Sequence, residues 1–206
     1  MFTGLLEDDR SAEEKEYDVA GIEFGTTIWG PVRWRQKKTS ELNLDPLWWQ
    51  DGSGSCVAFS TSRMIAKEIK RRTGRWLDLS PGYIYQKRVN KNSDGMFTYD
   101  AVEIANIDGV TLDALNPSFG LSEQEINAVK YTEIDEKVAA AFADLIGKAI
   151  VAPKDFEAVA AILEQKKAVI VSIFGTTAEC KLEVPKVIDP DLKRENAPIR
   201  HKTCLS

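Results

Sequence analysis

The chain has 206 residues, 43% of them hydrophobic and 29% charged, with a formal charge of −5 at pH 7. That length fits one domain or a tight two-lobed unit, and the composition supports a packed core rather than wholesale disorder. The acidic balance excludes a nucleic-acid-binding face as the main business, since that needs clustered Lys and Arg, and no apolar run approaches the ~20 residues of a membrane span. Three cysteines (Cys56, Cys180, Cys204) and one histidine (His201) are too few for a disulfide framework or a dedicated zinc site. A reducing interior, with no metal and no cofactor, is therefore expected. Met1 to Arg10 turns acidic within a few positions, unlike the basic and then apolar start of a secretory signal, so an intracellular location is expected.

Residues 1–30 read as an N-terminal arm. Its first twenty residues are charged and carry few apolar side chains, so a solvated leader or short helix is expected. From Ile22 to Trp34, aromatic and β-branched residues punctuated by Gly and Pro suggest short extended pieces. Residues 36–49 read as loop, closing on Pro46-Leu47-Trp48-Trp49 with the two indoles packing around it. A small-residue loop, Gln50 to Cys56, then runs directly into a helix on which Val57, Met64 or Ile65, and Ile69 recur with helical spacing. Lys70, Arg71 and Arg72 in the last turn and Gly74 just beyond suit a helix C-terminus.

Ser80 as N-cap and Pro81 at the first helical position open a helix through about Arg88. Asn90 to Gly95 is a polar turn, and Tyr99 to Ile107 is helical again, ending near Gly109. Ser122 with Glu125 three residues on predicts a capping box and a short helix. Beyond about Lys130 the character shifts. Asp155 to Lys166 predicts an amphipathic helix on Phe156, Val159, Ala160 and Leu163, and Ala168 to Gly175 a buried strand. The fold class expected is α+β, helix-rich first and strand-bearing later.

Cys56 begins the helix that follows the Gly/Ser loop. A thiol in a first helical turn feels the positive end of the dipole and nearby N–H groups, which favour the thiolate, the nucleophilic form. The alternative is a small buried hydrophobe, the common state of a free cysteine. Gln50, six residues earlier, carries an amide that can donate to a developing oxyanion while the Cys56 N–H donates from the other side; the alternative is a solvated loop side chain. A thiolate nucleophile also needs a general base that later protonates the leaving amine, and His201 is the only imidazole in the chain.

These residues resemble the papain-like cysteine proteases. Gln50-x5-Cys56-Val57-Ala58-Phe59-Ser60 is similar to that family's Gln-Gly-Ser-Cys-Gly-Ser-Cys-Trp-Ala-Phe-Ser segment, and His201 follows 145 residues later, within the family's spacing of roughly 130–150. Pro31 to Arg35 resembles the opening strand with its Trp, Leu79-Ser80-Pro81 the start of the second helix, and Asp94 to Phe97 the segment lining the cleft. The resemblance covers residues 31–206. It implies a two-lobed fold with a cleft between the lobes: a helical lobe at about 47–128 and a β-rich lobe at about 31–40 and 129–206. It further implies Cys56 as nucleophile, His201 as base and Gln50 as oxyanion donor. By the same resemblance Gly54 lies beside the S1 site, Gly95 pairs its backbone with an extended substrate, and Met96 and Phe97 begin the hydrophobic S2 wall.

Where the family often has a disulfide cysteine this chain has Ser53, and Val57 replaces the aromatic residue after the nucleophile. No asparagine follows His201, whereas the family's orienting Asn and several strands come later, so a C-terminally truncated chain with impaired activity is expected. The function implied is a cysteine-type endopeptidase acting on polypeptide, without nucleic-acid or membrane partners, in a microbial or viral setting. Two other readings stay open: another thiol hydrolase, of amidase or transglutaminase type, and a papain-like fold kept as a non-catalytic binding or structural module.

Overall fold

The computed structural model describes residues 6, 9–13, 45, 46, 48–50, 53–146, 159, 162, 163, 167–176 and 199–205. Among them the chain forms helices α1 (Cys56–Thr73), α2 (Pro81–Gln86), α3 (Thr98–Ile107), α4 (Glu123–Ala128) and α5 (Glu133–Ile146), then strands β1 (Val171–Thr176) and β2 (Ile199–Leu205).

Helix α1 is the centre of the fold, in contact with α2, α3, α5 and β2. Its apolar positions fall on one face, and Val57, Ala58, Ile65, Ala66 and Ile69 are all buried. The predicted C-terminus is observed: Gly74 adopts φ 74°, and its N–H donates to the Lys70 carbonyl at 2.8 Å. The basic last turn is partly neutralised from within, because Glu68 accepts from Arg71 Nε at 2.7 Å and Arg72 Nε at 2.6 Å. The Arg71 hydrogen bond, ahead of every other cause, holds the Glu68 carboxyl below its ordinary range.

Helix α2 starts as its sequence predicts. Ser80 Oγ accepts from the Tyr83 amide at 3.0 Å, and Pro81 stands at the first position. The strand-like stretch before it pairs with a distant one: Ser80 N–H donates to Thr111 O and Asp113 N–H to Asp78 O, both at 2.9 Å. Helix α4 carries the full capping box, the Ser122 amide donating to Glu125 Oε2 at 2.8 Å while Glu125 N–H donates to Ser122 Oγ. Around α1 the core is completed by Leu79, Ile84 and Tyr85, by Met96, Ala101, Ile104 and Ala105, and by Val110 and Ile126.

The stretch read as opening a β-rich lobe at about 129 begins instead with α5. Thr132 and Asp135 cap it reciprocally: the Thr132 amide donates to Asp135 Oδ2 at 2.7 Å, and the Asp135 amide donates to Thr132 Oγ1 at 3.4 Å. Glu133, Asp135 and Glu136 in the first turn suit the positive end of the dipole. The predicted strand appears as β1, which pairs antiparallel with β2 and sets Gly175 opposite His201. That pair is the one sheet among the described residues. Of the predicted 155–166 helix, Val159, Ile162 and Leu163 are described and helical. The expected extended pieces between Ile22 and Trp34 lie outside the described residues.

The N-terminal arm is docked where it is described. Leu6 N–H donates to the Met96 carbonyl at 3.1 Å, Tyr99 OH donates to Asp9 Oδ1 at 3.2 Å, and the Arg10 guanidinium lies 4.3 Å over the Tyr99 ring. A backbone hydrogen bond, a charged acceptor and a cation–π contact together hold a segment that composition alone reads as solvated.

Candidate active site

Cys56 is the first residue of α1. Its N-cap, Ser55, makes no side-chain cap, because the Ser55 hydroxyl bonds to that of Ser53 instead. No acidic residue lies in the first turn to oppose the dipole. The side chain is 6% exposed and belongs to the core cluster. A helix N-terminus favours a thiolate, whereas apolar surroundings favour the thiol, and Cys56 meets both influences.

Gln50 is folded into its own loop. Its Nε2 donates to the Ser53 carbonyl, and its own carbonyl accepts from Ser53 Oγ at 3.1 Å. A primary amide has two N–H donors, so one such bond does not exhaust it. His201 lies on β2, and β2 packs against α1, so the elements carrying Cys56 and His201 are neighbours.

Gly54 and Gly95 meet directly. A Cβ built on Gly54 would stand 2.7 Å from Gly95 N, 3.1 Å from Tyr85 OH and 3.3 Å from Glu123 Oε2, so only glycine fits this crossing. The Gly54 amide donates to Glu123 Oε2 at 2.7 Å. The Gly95 amide donates to Tyr85 OH at 2.9 Å, and the Gly95 carbonyl accepts from Asn90 Nδ2 at 2.9 Å. Tyr85 OH in turn donates to Glu123 Oε1 at 2.5 Å. Burial first, and then this bond to Glu123, push the Tyr85 phenol well above its ordinary range, so it keeps its proton and remains a donor. Arg88 closes the group, 3.7 Å over the Tyr85 ring and 3.4 Å from Glu123 Oε1.

Both polar backbone groups of Gly95 are thus engaged by the protein's own side chains, whereas the Met96 carbonyl accepts a backbone N–H, that of Leu6. The Met96 side chain is buried in the core, while Phe97 is half-buried and stacks on Tyr99 with centroids 5.2 Å apart. Tyr85, Glu123 and Asn90 were not singled out from the sequence. Tyr85 and Glu123 are 38 residues apart and no periodicity links them.

No family model matches this chain, and no curated protein matches it. Solved structures do. Xylellain, a cysteine protease from Xylella fastidiosa, is 15% identical, aligned over 98% of this chain and 75% of its own, with a TM-score of 0.61. The cysteine protease and lectin-like domains of Cwp84, a surface-layer-associated protein of Clostridium difficile, are 14% identical over 97% of this chain, with a TM-score of 0.55. The chain spans only 47% of that Cwp84 structure. Digestive procathepsin L 3 of the Tenebrio molitor larval midgut is 14% identical over 97% of this chain and 79% of its own, with a TM-score of 0.51. The fold is similar to that of papain-like cysteine proteases. Within this papain-like fold the helical part is the part described most fully, and no described helix is long and apolar enough to cross a membrane.

Proposed function

We propose that the chain is a cysteine-type endopeptidase with Cys56 as nucleophile, His201 as base and Gln50 as oxyanion donor, acting on polypeptide. The observation that carries this reading is the placement of Cys56. It begins the central helix of a papain-like fold, at an end with no side-chain cap and no acidic residue in the first turn, with the His201 strand packed on the same helix.

In the proposed reaction the Cys56 sulfur bonds to the scissile carbonyl carbon. The carbonyl oxygen becomes an oxyanion between the Gln50 amide and the Cys56 N–H. The C–N bond breaks as the amine leaves with a proton from the His201 imidazolium. Water, deprotonated by His201, then adds to the thioester, which releases the acid and restores the sulfur. A covalent intermediate of this kind splits one difficult displacement into two easier ones.

The test is labelling of the full chain by a peptidyl epoxide together with hydrolysis of an unstructured polypeptide. Labelling at Cys56 alone, lost in Cys56→Ala, with hydrolysis lost in both Cys56→Ala and His201→Ala, is the expected result. Equal labelling of Cys56, Cys180 and Cys204 without hydrolysis refutes it. The second reading, a non-catalytic papain-like module, is favoured by the membership of Cys56 in the buried core, and that refuting result is the one it anticipates.

A further inference from the structure

We propose that Glu123 and Tyr85 are positioning residues that set the spacing between the Cys56 loop and the Met96 segment, and so the affinity for an extended peptide; the inference rests on the endopeptidase reading. One carboxylate and one phenol hold the amides of both crossing glycines, with distances of 2.7 Å to Gly54, 2.9 Å to Gly95 and 2.5 Å between the two side chains.

Each glycine leads straight to a group that a substrate would meet. Gly54 lies two residues before Cys56, so a shift of its amide is passed to the Cys56 N–H through one intervening residue. Gly95 directly precedes Met96, whose carbonyl already accepts a backbone N–H, that of Leu6, at 3.1 Å. The Met96 carbonyl is therefore an acceptor within reach of a peptide N–H, and the clamp fixes how far that acceptor stands from the nucleophile. The glycines leave no side chain of their own to hold this distance, and Ser53 supplies no disulfide there. Hydrogen bonds to a charged acceptor are the strong kind, and Glu123 Oε2 provides one directly to the loop.

The test separates affinity from thiol reactivity. Tyr85→Phe and Glu123→Gln are made in the full chain, and Cys56 is alkylated with a peptidyl epoxide and with a small haloacetamide. Loss of one such bond corresponds to about a tenfold change in an equilibrium. The expected result is a KI for the epoxide raised about tenfold in each variant, with the haloacetamide rate within about twofold of wild type. The double variant should be little worse than either single one, because both remove the same network. Tyr85→Phe keeps its ring under Arg88, so it decides the matter should Glu123→Gln fail to fold. An unchanged KI, or epoxide and haloacetamide rates falling in parallel, overturns the positioning role. Wild-type Cys56 reacting no faster than Cys180 and Cys204 overturns the endopeptidase reading, and this proposal with it, before any variant is compared.

Discussion

Replacing Gly54 by Ala tests the glycine crossing most directly. The new methyl group would lie 2.7 Å from Gly95 N, against ordinary contact at 3.4–4 Å, so the two backbones must part by about 0.7 Å. If Gly95 moves, its 2.9 Å bond to Tyr85 OH stretches to about 3.6 Å and ceases to be a hydrogen bond. Overpacking costs about 1–3 kcal/mol, and a buried amide left without its acceptor about 1–3 more. A total of about 2–6 kcal/mol is expected, which for a chain of this size lowers Tm by roughly 4–24 °C. Thermal melting followed by circular dichroism measures it, with Gly74→Ala as the control. Gly74 has φ +74° but nothing within 4 Å of its would-be Cβ, so its substitution carries only left-handed strain, about 1–2 kcal/mol. A Gly54→Ala protein melting within about 2 °C of wild type, or one more stable than Gly74→Ala, would refute the crowding argument.

Three further outcomes are expected. Burial, outweighing the 3.0 Å hydrogen bond from the Val89 amide, raises the Asp100 carboxyl above its ordinary value near 3.8, so the folded state binds a proton more readily than the unfolded state and this group's contribution to stability falls as pH rises through that window. Asp100→Asn keeps an acceptor for Val89 without ionising, so melts at pH 4 and pH 7 should show the variant gaining at pH 7 relative to pH 4; an unchanged difference counts against it. Ser80→Ala removes the α2 cap and a 3.1 Å bond to Asn116, and urea denaturation should register a loss of about 1–2 kcal/mol. Trp48 lies 4.9 Å from Phe119 and 5.6 Å from Trp76, and donates to Asp78, whereas Trp49 is 74% exposed. Trp48→Ala should therefore cost about 2–3 kcal/mol in the same assay and Trp49→Ala under about 0.5, and equal losses would contradict the packing described.

What the sequence disclosed follows the range of the physics involved. Helix α1, its Gly74 stop, the Ser80–Pro81 start and the Ser122–Glu125 box depend on residues a few positions apart, and all four are observed. Helix α5 depends on an equally local signal, Thr132 with Asp135 ahead of an acidic turn, which the stronger strand run downstream masks. The glycine clamp had no local trace. Glu123 reaches Gly54 across 69 residues, and until α4 is laid against α2 it reads only as a first-turn acid. Gly95 illustrates the same divide. Resemblance offers its backbone to a substrate, while Tyr85 and Asn90, ten and five residues upstream, engage both its polar groups.

The placement of Cys56 on α1 has a mechanical side. A reactive group borne on a surface loop can be softened or shifted while the scaffold stays put. Here the same rod anchors three other helices and a strand, so creep of its axis, as from trimming Ile65 or Ile69, displaces the sulfur along with the interior. Vulnerability to heat and loss of thiol reactivity should then track one another across such variants, instead of drifting independently.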